Sequence, residues 1–90
     1  MEDEQIQRLR DRLNEIHVWP SIFMFKFILP SDPIRIQKLK LIFGEKAELK
    51  ERLSANGKYT SITIREMMMD ADAIFVRYMM AAEIEGIISL

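Results

Sequence analysis

Asn56-Gly57 is the most constraining pair in this chain, because it stands between two runs that alternate in polarity, Ala47 to Ser54 and Lys58 to Arg65. Asn-Gly in that setting predicts a two-residue type I′ hairpin, in which both central residues take positive φ. Counting outward from the turn sets Leu53 opposite Thr60, Arg52 opposite Ser61, Lys50 opposite Thr63, Leu49 opposite Ile64 and Glu48 opposite Arg65. Apolar residues then meet apolar ones and an acid meets a base. Glu51 opposite Ile62 is the one misfit, which an edge strand tolerates.

The hairpin needs partners, and the rest of the chain supplies them. Ile6, Leu9, Leu13 and Ile16 recur at helical spacing, with acids before Arg8, Arg10 and Arg12, so residues 1–17 read as an amphipathic helix. Trp19-Pro20 forces extended backbone. Ser21 to Leu29 then reads as a strand with Phe23, Phe25, Phe27 and Leu29 on one face and Ile22, Met24, Lys26 and Ile28 on the other. Asp32 is the expected N-cap of a second helix, with Pro33 at its first position, Ile36, Leu39, Ile42 and Phe43 as its buried stripe and Gly44 as its C′ residue. Asp70 caps a last helix whose Ile74, Phe75, Tyr78 and Ala82 share a face, and Gly86 ends it before a short strand, Ile87 to Leu90. After the first helix the order is β-α-β-β-α-β. Connection rules fold that order most simply as an α+β, ferredoxin-like sandwich over residues 18–90, a four-stranded antiparallel sheet with two helices on one face.

Chemistry is bounded by what the chain lacks. Ninety residues with 49% hydrophobic and 30% charged side chains make a single globular core. Without cysteine there is no disulfide, thiolate nucleophile or Cys-based metal site, and the single histidine, His17, builds no cluster. No carboxylate pair sits in an apolar setting, and no nucleophile has a base beside it. We therefore expect no catalytic residue, no metal and no cofactor. Asp70-Ala71-Asp72 begins like a calcium loop, but Ile74 follows and no glycine does, so helix capping explains it. Gly44-Glu45-Lys46 ends a helix where a phosphate loop would begin one. The absence of an apolar membrane-spanning run and the acidic start point to a cytoplasmic protein without a membrane.

Two surfaces remain as candidates. Ile22, Met24 and Ile28, joined by Ile87 or Ile88 on the last strand, form a mostly apolar patch around Lys26 on the sheet face that the helices leave open. Such a patch needs a cover, which is a protein partner or a second copy, and a homodimer is favoured over the N-terminal helix folded back. The alternative is an anion or nucleic-acid patch of Lys26, Lys50, Arg52, Lys58, Tyr59 and Arg65. Gly57-Lys58-Tyr59 echoes the RNA-reading strand of an RRM, but Ser61 and Thr63 stand where further aromatics would stack. With a net charge of −1, nucleic acid is the less favoured partner.

The stretches "WPSIFMFKFILP", "IFGE", "NGKYTSIT" and "IEGIISL" together resemble the YbeD-like family of small uncharacterised bacterial proteins, in the form that carries an N-terminal helix. The resemblance spans roughly residues 18 to 90. It implies a ferredoxin-like fold similar to ACT regulatory domains, which bind small effectors such as amino acids between domains, and hence a regulatory or interaction role without catalysis. ACT domains usually keep a glycine in the loop after the first strand. Here that loop is Leu29-Pro30-Ser31-Asp32-Pro33, and the resemblance names no effector for this chain.

Overall fold

A computed structural model describes residues 2–90; Met1, the first residue of the expected N-terminal helix, lies outside them. The elements are α1 (Glu2–Ile16), β1 (Ser21–Pro30), α2 (Pro33–Ile42), β2 (Glu48–Leu53), β3 (Tyr59–Met68), α3 (Ala71–Ala82) and β4 (Ile88–Ser89). The four strands form one antiparallel sheet in the order β2-β3-β1-β4. Each helical crossover, β1-α2-β2 and β3-α3-β4, therefore spans a strand of the other half. The molecule is α+β and compatible with a ferredoxin-like fold.

Period-two alternation decides the core. Phe25, Phe27 and Leu29 of β1 and Ile62 and Ile64 of β3 are wholly buried on the helical face, where they meet Leu39 and Phe43 of the α2 segment and Ile74 and Ala81 of α3. Burying each large apolar side chain contributes about 1.5–3 kcal/mol. On α3 the inward residue is Ala81, whereas Ala82 is exposed, a one-residue correction to the expected stripe.

Asp32 and Asp70 cap α2 and α3 as expected, accepting from the Ile34 and Ala73 amides at 3.2 and 2.8 Å. The hairpin register is the one counted from Asn56-Gly57, but the turn is not type I′. Only Gly57 has positive φ, at +74°, and Asn56 does not. Ser54 pairs with Tyr59, and the Gly57 amide closes on the Ser54 carbonyl at 2.9 Å, so a four-residue loop replaces the two-residue one. Both loops share a midpoint, which is why the register is unchanged. Asn56 acts through its side chain, whose Oδ1 accepts from the Ser54 hydroxyl and the Lys58 amide.

Glu51 opposite Ile62 is resolved by Lys40 of α2, whose Nζ lies 3.0 Å from its carboxylate. Gly44 follows the Phe43 cap but lacks the left-handed backbone expected of a C′ glycine. Gly86 does have it, at φ +81°, and an added Cβ there would lie 3.1 Å from Pro30.

The first helix corrects another expectation. It packs against α3, with Arg10 paired to Asp72 at 2.8 Å and Leu13 and Trp19 set against the core. It therefore joins the helical side as a third helix and leaves the other sheet face uncovered. Ile6, Leu9 and Ile16 remain 40%, 55% and 69% exposed.

Candidate functional site

Alternation along the strands sets which side chains reach the open face. On β1 these are Ile22, Met24, Lys26 and Ile28, since the intervening Phe25 and Phe27 are buried. Register then places Met67, Arg65, Thr63 and Ser61 of β3 directly beside them, and Glu48, Lys50 and Arg52 of β2 beyond. Ile88 stands beside Ile28, and the Leu90 amide donates to the Lys26 carbonyl at 2.9 Å, which puts Leu90 on the same face. Of the two expected isoleucines, Ile87 is elsewhere: it packs against the core, and Ile88 and Leu90 hold the open positions.

The face is thus divided lengthwise. Over β1 and β4 lie Ile22, Met24, Ile88 and Leu90, each more than half exposed, with the partly exposed Ile28 between them and Met67 at one end. Over β3 and β2 lie Arg65, Lys50 and Arg52, with Glu48 as the carboxylate facing Arg65, while Lys26 interrupts the β1 row between Met24 and Ile28. Among the described residues none of these four cations has an acidic partner within 4.0 Å. Tyr59 stands at the far end beside Pro30, and Lys58 belongs to the hairpin loop, its carbonyl accepting from the Ser31 amide. The structure brings Lys26, Lys50, Arg52, Arg65 and Tyr59 onto one face and leaves Lys58 at its margin.

No family model, curated protein or solved structure matches this chain. Its own geometry must therefore carry the functional argument.

At the Ile22 and Met67 end the face opens into a cleft of about 680 Å³, walled by Gly44, Glu45, Lys46, Glu48, Arg65 and Glu66. Its back wall is a clasp that the sequence did not announce. Glu66 lies on the helical side of β3, its side chain 11% exposed, with Oε1 2.8 Å from Arg77 Nη2 of α3. Oε1 has no hydrogen-bond partner, so that contact is an ion pair and not a directional bond. The other oxygen accepts from the Gly44 amide at 2.7 Å. Arg77 also donates to the Ile42 carbonyl and lies over the Phe43 ring, 5.4 Å from its centroid. One guanidinium thus fastens α3 to β3 and to the end of α2. A Cβ at Gly44 would lie 2.7 Å from a Glu66 carboxylate oxygen and would displace it from the Gly44 amide.

The other titratable candidates are accounted for by packing. His17 packs at a tilt against Trp19, ring centroids 5.2 Å apart, and its Nδ1 lies 3.1 Å from the Ser21 hydroxyl. Tyr78 packs against Phe23, Phe25 and Phe27, and the loss of water there raises its hydroxyl above the usual value. Among the described residues no three His, Cys, Asp or Glu side chains converge to hold a metal ion, and no helix is long and apolar enough to cross a membrane.

Proposed function

We propose that this chain is a non-enzymatic interaction module of ferredoxin-like, ACT-like architecture that works by receiving a protein on its open sheet face. The strand order with its two split crossovers supports the architecture, as does the resemblance of its turn and strand motifs to the YbeD-like family. The observation that carries the function is the exposed group of Ile22 and Met24 on β1 and Ile88 and Leu90 at the β4 end of the chain, uncovered by α1. Apolar side chains grouped in this way mark association surfaces. The protein received is either a second copy or a different chain.

The four cations without an acidic partner favour a second reading, in which the same face binds an anion or nucleic acid. Affinity capture from the native cell extract separates the two. The parent should retain a protein through nuclease treatment, and Met24→Glu should lose it, because a charge is set where apolar contact forms. If nuclease strips everything retained, the nucleic-acid reading replaces the first. If Met24→Glu retains the same proteins as the parent, the face is not the docking surface.

A further inference from the structure

We infer that the occupant of the open face is an amphipathic helix of another protein, with an apolar stripe and a row of carboxylates along one flank. The inference rests on the reading of this face as a docking surface and adds the partner's chemistry. Its ground is the lengthwise division into an apolar half over β1 and β4 and a cationic half over β3 and β2. From Ile22 to Ile28 the β1 row, apolar but for Lys26, runs about 20 Å at roughly 3.3 Å per residue, the length of a helix of about 13 residues.

Charge supplies the second half of the argument. Ion pairs among the described residues engage Arg8, Arg10, Arg35, Lys40 and Arg77, all borne by the helices. Lys26, Lys50, Arg52 and Arg65, all borne by the sheet, have none, and only Glu48 offsets them on that face. The chain as a whole carries −1, so this surface is charged opposite to the molecule that bears it. Such a surface selects an acidic partner.

The same division disfavours a second copy. Two sheets packed face to face and aligned have two symmetric arrangements. A two-fold axis across the strands, set through the Lys26, Thr63 and Lys50 row, matches Met24 with Ile28 and Glu48 with Arg52 but lays Lys26 on Lys26 and Lys50 on Lys50, and an axis along them lays Lys50 and Arg52 of one copy on Ile88 and Leu90 of the other. The first arrangement stacks two pairs of like charges at its centre, and the second buries charge against hydrocarbon. A nucleic acid leaves the isoleucine and methionine column unfilled, and stacking needs successive aromatics where β3 offers only Tyr59, followed by Ser61 and Thr63.

The test uses a fluorescent helical peptide of about 14 residues, with a leucine stripe and glutamates along one flank, and its twin with lysines in their place. Binding is read by anisotropy at about 50 mM salt, where surface charge is least screened. The parent should bind the glutamate peptide at least roughly tenfold more tightly than the lysine peptide. Lys50→Glu with Arg52→Glu should reverse that order, a gain of binding that only a folded variant can show. Met24→Glu should lose both peptides.

Equal affinity of the parent for the two peptides overturns the inference while leaving the docking surface standing. A single-stranded oligonucleotide bound as tightly as the glutamate peptide overturns it in favour of a polyanion. A parent that light scattering finds dimeric, and Met24→Glu monomeric, overturns it in favour of a second copy. No binding of either peptide, together with unchanged capture by Met24→Glu, removes the inference and the docking surface alike.

Discussion

Arg77→Met cuts three contacts while keeping much of the side-chain volume, so its cost can be assembled from the structure. Removing one member of a fully buried ion pair costs about 3–5 kcal/mol, because the other charge is stranded. The Arg77 and Glu66 side chains are 28% and 11% exposed, so solvent relieves part of that penalty and about 2 kcal/mol is appropriate. The Ile42 carbonyl loses a donor, worth about 1 kcal/mol, and the contact over Phe43 adds about 0.5 kcal/mol. The sum, about 3.5 kcal/mol, lowers the melting temperature of a domain this size by roughly 14–28 °C. Arg35→Met is the internal control: its pairs to Asp32 and Glu85 are longer, at 3.7 and 3.8 Å, and Glu85 is 91% exposed, so the loss should stay below about 0.5 kcal/mol. Adding Glu66→Gln to Arg77→Met should recover about 1 kcal/mol or more, since no stranded charge remains. Thermal and urea unfolding followed by circular dichroism measure all four chains. If Arg77→Met costs no more than Arg35→Met, the clasp contributes nothing and the reasoning is wrong.

Two further substitutions test single features. Gly57→Ala should cost about 1 kcal/mol in urea unfolding from backbone conformation alone, because φ is +74° and nothing lies within 4 Å of the added Cβ; an unchanged midpoint would contradict the left-handed turn. Burial raises the Tyr78 hydroxyl above its ordinary value, so the folded state holds that proton more tightly than the unfolded chain. That stability is complete below about pH 10 and is lost as pH climbs through the folded value. Tyr78→Phe should therefore flatten the alkaline decline, and parallel declines in parent and variant would refute the cause.

The hairpin register was legible because side chains alternate strictly with period two, and apolar partners match only when the count is right. The turn's backbone was not, since a two-residue and a four-residue loop centred on the same bond give identical pairing. Ile87 and Ile88 were indistinguishable for a related reason: β4 has two residues, too few to alternate, and only pairing with Ile28 selects Ile88. α1 shows that an amphipathic stripe predicts a helix without predicting burial, for Leu13 packs while Ile16 stays in water. The clasp left a faint trace. Glu66 falls at a core-facing position between Ile64 and Met68, and Arg77 adjoins Tyr78 on the inner side of α3, two opposite charges on apolar faces. Nothing in either segment alone says that they meet.

The strand order also sets a sequence of events in folding. Strands β2 and β3 are joined by a short loop, and such a hairpin closes in about 1–10 μs. The central pair is a different matter: Ser21 of β1 must find Met68 of β3 with α2 and the whole hairpin between them. Loop closure delays that pairing, so β1 waits for its first neighbour longer than β2 does. While it waits, Phe23, Phe25, Phe27 and Leu29 form an apolar strip of the kind that stacks between chains. Lys26 in its middle and Pro30 at its end then act as gatekeepers, keeping newly made copies apart until the sheet closes.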